Sequence, residues 1–88
     1  MLMTVKEIAE KNPGTILNMM TPCGYLTILA DDLLKTEKVD TNPGAPGPEL
    51  SMSIEASEVL DMKVVDYYPV EPEKNQYGKK EIRMLTDN

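Results

Sequence analysis

The stretch that most constrains this chain is Thr15-Ile-Leu-Asn-Met-Met-Thr-Pro-Cys-Gly-Tyr-Leu-Thr-Ile-Leu-Ala30. Two apolar runs, Thr15–Met20 and Tyr25–Ala30, flank Thr21-Pro22-Cys23-Gly24. Short runs rich in Ile, Leu, Thr and Tyr, split by Pro and Gly, predict a β-hairpin. Pro22 presets φ for the first central position of a turn, and Gly24 supplies a positive φ after it. No other segment offers as much contiguous apolar surface, so the core is expected to condense on this hairpin.

The hairpin needs neighbours, and the remaining sequence supplies short ones. Thr4-Val-Lys-Glu7 matches a capping box, in which Thr4 accepts from the amide of Glu7 and Glu7 reaches back to the amide of Thr4. Val5, Ile8 and Ala9 share one helical face, opposite Lys6, Glu7 and Glu10. Asn12-Pro13-Gly14 stops this helix, which spans Val5 to Lys11 and is too short to persist unless it docks. Asp31 or Asp32 is suited to cap a brief helix carrying Leu33 and Leu34, with a strand extension as the competing reading. Asp40 to Pro48 is the clearest break, because three prolines and two glycines within 42–48 exclude a regular ladder or helix.

Leu50 to Glu55 alternates apolar and polar residues, as a half-buried strand does. Ser57 to Asp61 suits one helical turn capped by Ser57. Lys63 to Pro69 is β-rich, and Pro69 fits an edge strand. Glu71 to Gly78 is a polar loop. Lys80 to Thr86 closes the chain as a strand pairing with the one before it. The expected fold is a single α+β domain over residues 1–88, with an N-terminal amphipathic helix on a mainly antiparallel sheet of about five strands and one or two short extra helical turns. At 88 residues, folding buries ~60–65% of the chain's accessible surface, enough for a core without a metal or disulfide.

Composition narrows the function classes. Histidine is absent, which removes the commonest general base and the usual partner of a Ser or Cys nucleophile. Cys23 has no basic neighbour in sequence to lower its thiol pKa and is expected to be a half-buried structural thiol. The Asp31-Asp32 pair lacks further oxygen ligands at a recognisable spacing for a hard cation. No Gly-rich phosphate loop, Cys/His cluster or dinucleotide fingerprint occurs. The chain is read as a non-enzyme, with no cofactor or metal expected. A net charge of −6 with one Arg disfavours direct nucleic-acid binding, which needs clustered Lys and Arg. No apolar run nears the ~20 residues of a membrane helix. A single cysteine and no signal peptide lead to a cytoplasmic expectation.

Charge is uneven. Residues 49–73 carry seven acids and only Lys63, whereas 74–88 carry four bases and two acids. The simplest account pairs Lys79, Lys80 and Arg83 with Asp66, Glu71 and Glu73 on a neighbouring strand. The alternative is an acidic face presented to a partner, with Glu55, Glu58 and Asp61 as contact candidates. In Tyr67-Tyr68-Pro69 one tyrosine should face in and the other out, and both are contact candidates. With no Phe or Trp, some of the four tyrosines should enter the core. Pro43-Gly-Ala-Pro46 formally matches a polyproline ligand, but without a basic flank it reads as a plain loop.

The opening Met3-Thr-Val-Lys-Glu-Ile8, followed by a short helix, Asn-Pro-Gly and a strand, resembles the start of small accessory proteins encoded by phages and conjugative elements of Gram-positive gut bacteria. The resemblance implies a small adaptor or modulator and assigns no residue roles. The expected function is therefore binding to another protein. Two alternatives stay open: inhibition of a nucleic-acid-handling enzyme through an acidic face, and an oligomeric small-molecule-binding domain.

Overall fold

The computed structural model describes residues 3–41 and 52–87. The elements run α1 (Val5–Lys11), β1 (Ile16–Thr21), β2 (Gly24–Leu29), α2 (Ala30–Lys35), β3 (Lys38–Thr41), β4 (Met52–Glu55), α3 (Ala56–Leu60), β5 (Lys63–Val70) and β6 (Glu81–Asp87). A single 3₁₀ turn, Pro72–Lys74, lies between β5 and β6. The result is an α+β arrangement with one four-stranded sheet, ordered β2-β1-β6-β5, and a separate two-stranded sheet, β3-β4.

The predicted hairpin forms. β1 and β2 pair antiparallel from Ile16↔Leu29 to Thr21↔Gly24. Its turn is tied by Thr21, whose hydroxyl donates to the Gly24 carbonyl at 2.7 Å and accepts from the Cys23 amide at 3.1 Å. Gly24 sits at φ 125°, a value that L side chains rarely adopt. Cys23 is half-buried against the core, as expected.

β5 and β6 form the second antiparallel pair, with a bulge at Val65 between Val64 and Asp66. The first strand also pairs with the last: β1 and β6 run parallel, from Ile16↔Glu81 to Met20↔Leu85. This central parallel ladder fuses an N-terminal and a C-terminal hairpin into one sheet. β5 is an outer strand, which accommodates Pro69. Near its start Thr4 bridges Lys63, the Val5 amide donates to the Met62 carbonyl at 3.0 Å, and the Val64 amide donates to the Met3 carbonyl at 2.7 Å.

All three helices lie over one face of this sheet. Val5, Ile8 and Ala9 of α1, Ala30 and Leu33 of α2, and Ala56 and Val59 of α3 share one core with Leu17, Met19, Leu26, Val64, Ile82 and Met84. The capping box on α1 is complete: Thr4 Oγ1 accepts from the Glu7 amide and Glu7 Oε1 from the Thr4 amide, both at 3.3 Å.

Several details correct the sequence reading. α2 starts at Ala30, two residues earlier than an Asp31 cap requires; Leu29 is its N-cap, and no side chain caps it. α3 likewise starts after Glu55, and Ser57 lies inside it. In both cases the helix follows directly from a strand, so the chain direction is set by the preceding ladder. β3 was not anticipated and overlaps the segment read as a break only at Asp40 and Thr41; it pairs with β4 from Lys38↔Glu55 to Thr41↔Met52. The Thr41 hydroxyl ties it to the Cys23 carbonyl at 3.1 Å. None of the four tyrosines is buried, because Leu, Ile, Val, Met and Ala fill the core unaided. The 42–48 loop, with its Pro43–Pro46 motif, and Leu50 and Ser51 lie outside the described residues.

Candidate functional site: the open face of the sheet

Strand pairing organises the face away from the helices into three rungs. The first runs Tyr25, Met20, Leu85, Asp66; the second Thr27, Asn18, Arg83, Tyr68; the third Leu29, Ile16, Glu81, Val70. A solvent-facing antiparallel sheet ordinarily shows polar residues there. The first rung departs from that pattern: Tyr25, Met20 and Leu85 are 48%, 46% and 45% exposed, and Tyr68 on the next rung is 54% exposed. A groove of about 420 Å³ runs along this surface, lined among others by Met20, Tyr25, Tyr68, Arg83 and Leu85.

The second rung is a polar chain. The Thr27 hydroxyl donates to Asn18 Oδ1 at 3.3 Å, and Asn18 Nδ2 donates to Glu81 Oε2 at 3.1 Å. Arg83 Nε donates to the same oxygen at 3.1 Å, forming an ion pair within β6. Hydrogen bonding to the Tyr68 side chain, and then to Glu81, holds the Arg83 pKa above its ordinary value, so Arg83 stays cationic. The expected cross-strand pairs are absent: among the described residues neither Lys79, Lys80 nor Arg83 pairs with Asp66, Glu71 or Glu73. Asp66 accepts instead from the Tyr67 amide at 2.9 Å, next to the bulge.

Glu81 is the unusual residue. Its side chain is fully buried, and Oε1 meets no hydrogen-bond donor. An unsatisfied buried acceptor costs about 1–3 kcal/mol, more when charged. The segment after β5 forms one wall of a second cleft of about 290 Å³, through Lys74, Asn75, Gln76 and Tyr77; Asn18, Glu81 and Arg83 supply the rest. Asn75 braces this strap. Its Nδ2 donates to the Lys79 carbonyl at 2.7 Å, and its Oδ1 accepts from the Tyr77 amide at 2.9 Å and the Gly78 amide at 3.1 Å.

The contact candidates read from sequence separate into two groups. Tyr68 stands on the open face opposite Arg83, as the alternation rule requires. Tyr67 pairs with Met84 and points to the helix side, yet it is 47% exposed, because it sits on an outer strand beyond the helices' cover. The inward–outward rule thus holds for direction and fails for burial. Glu55, Glu58 and Asp61 are all exposed, but they belong to the end of β4, to α3 and to the C-cap of α3, in the layer behind the sheet. The structure does not bring them together with Tyr68.

Sequence reasoning missed Met20, Leu85 and Glu81. A signal existed for the first two: Met19-Met20 and Met84-Leu85 each place two apolar residues in succession, breaking the alternation of a half-buried strand. Parallel pairing puts both breaks on one rung. Glu81 follows Lys79-Lys80 and looks like an ordinary surface charge. Among the described residues no group of three or more His, Cys, Asp or Glu could hold a metal, and no helix is long and apolar enough to cross a membrane. Compared with protein-family models, curated protein sequences and solved structures, the chain matches none.

Proposed function

We propose that this protein is a small binding module that engages another protein through the open face of its four-stranded sheet. The observation that carries this reading is the exposed apolar rung Tyr25–Met20–Leu85, with Tyr68 and Arg83 beside it. Contiguous exposed apolar surface with a polar surround is the usual mark of an interaction site. Tyr, Met and Arg are also the side chains enriched where proteins meet. Helices cover the other face of the sheet, so this one remains for a partner.

The reading moves the contact away from Glu55, Glu58 and Asp61 and keeps Tyr68. In it the chain acts by binding and performs no chemistry of its own, in line with its lack of histidine. The resemblance of the opening segment to phage and conjugative-element accessory proteins fits a cytoplasmic modulator encoded by a mobile element.

The test is affinity capture from host lysate with three proteins: the unaltered chain, a Met20→Lys/Leu85→Lys variant, and a Glu55→Lys/Glu58→Lys/Asp61→Lys variant. All substituted positions are exposed, so each variant should fold. A partner lost only by the sheet-face variant supports the proposal. A partner lost only by the charge-reversed variant transfers the contact to α3. If that partner handles nucleic acid, the acidic-inhibitor alternative replaces the proposal.

A further inference from the structure

We infer that the cleft between the strap and β6 is a binding site for a small zwitterion, an ammonium and a carboxylate one or two carbons apart on an apolar body, as in an apolar α-amino acid. The inference goes beyond the partner-binding reading and does not depend on it. Its starting point is Glu81, a residue lining a polar cleft, whose Oε1 is buried and meets no donor, while Oε2 already accepts from both Asn18 and Arg83. A charged nitrogen donor is the strongest complement for a desolvated carboxylate oxygen.

A simple cation is nevertheless a poor match for the cleft, because two positive groups, Lys74 and Arg83, line the same space. Lys74 makes no ion pair with Glu81, and Arg83 spends its Nε on Oε2 while half of its side chain remains exposed. These cations ask for an acceptor close to the donor that Glu81 needs. An ammonium beside a carboxylate satisfies both demands and leaves the local charge unchanged.

The apolar body has a place as well. Asn18 and Arg83 line both the polar cleft and the groove over Met20, Tyr25, Tyr68 and Leu85, so the two spaces adjoin across these two side chains. Oε1 is closed to solvent, so a ligand reaches it only when the side chains around it move. On the opposite wall of the cleft Lys74 and Gln76 are exposed.

The experiment is an amide chemical-shift titration of the ¹⁵N-labelled protein with L-leucine and L-phenylalanine, compared with isopentylamine and 4-methylpentanoate, which carry one charge each. Expected are saturable shifts at Asn18, Glu81, Arg83 and residues 74–77 with either amino acid, and binding at least tenfold weaker with the single-charge probes. Glu81→Gln places an amide donor where the acceptor was and should abolish binding; Lys74→Ala should weaken it. Equal binding of a single-charge probe, unchanged binding in Glu81→Gln, or no saturable shift with either amino acid would overturn the inference. The probe comparison uses the unaltered chain and stands even if Glu81→Gln fails to fold.

Discussion

Met19 and Met20 are adjacent, chemically identical side chains on opposite faces of β1, which makes them an internal control for the architecture. Met19 is 1% exposed within the core, whereas Met20 is 46% exposed on the open face. Truncating a fully buried Met to Ala costs about 2–5 kcal/mol, from lost transfer energy plus the cavity left behind. Full burial of such a side chain is worth about 1.5–3 kcal/mol, so Met20, roughly half buried and leaving no cavity, should lose at most about 0.8–1.5 kcal/mol. A chain of this size has a total stability of about 4–13 kcal/mol. Met19→Ala thus removes a large share of it and Met20→Ala little. Urea unfolding followed by circular dichroism at 25 °C measures both. The midpoint should fall strongly for Met19→Ala with the slope unchanged, and in thermal scans its Tm should drop by at least ~8 °C. Equal losses would refute the reasoning, since Met20 would then be packed under a covered face; reversed losses would mean a register shifted by one residue.

Two other positions probe local devices. Thr4→Ala removes the acceptor for the Glu7 amide and breaks the capping box, and should cost about 1 kcal/mol in urea unfolding. Gly78 sits at φ 67° with open space where a Cβ would go, so Gly78→Ala should cost about 1–2 kcal/mol from backbone strain alone. Its amide-exchange signature should be faster exchange confined to residues 75–79, with the core unaffected.

The parts of the fold legible in the sequence are those set by local chemistry. The capping box fixed α1 from Thr4 and Glu7, and Pro22 with Gly24 marked the hairpin turn. Lys80 to Thr86, following the polar 71–78 loop, was read as the last strand, and β6 occupies Glu81–Asp87. The parallel β1–β6 ladder was not legible, because it joins residues more than sixty positions apart and leaves no local pattern. The candidate site depended on that ladder. Without it, Met19-Met20 and Met84-Leu85 are two unrelated breaks in alternation; with it, Met20 and Leu85 stand side by side. Glu81 was hidden for a related reason, since its burial arises from tertiary packing that no local pattern records. The acidic candidates Glu55, Glu58 and Asp61 were found from charge density, a signal that says nothing about which layer of the fold carries it.

Methionine oxidation footprinting tests the central claim most directly. The isolated protein and its captured complex are each exposed briefly to hydrogen peroxide, and sulfoxide at Met19, Met20 and Met84 is quantified by mass spectrometry. In the free protein Met20 should oxidise well ahead of the buried Met19 and Met84, and in the complex Met20 should become protected. Protection of Met20 on binding is what the open-face account predicts. Undiminished oxidation of Met20 in the complex would contradict it.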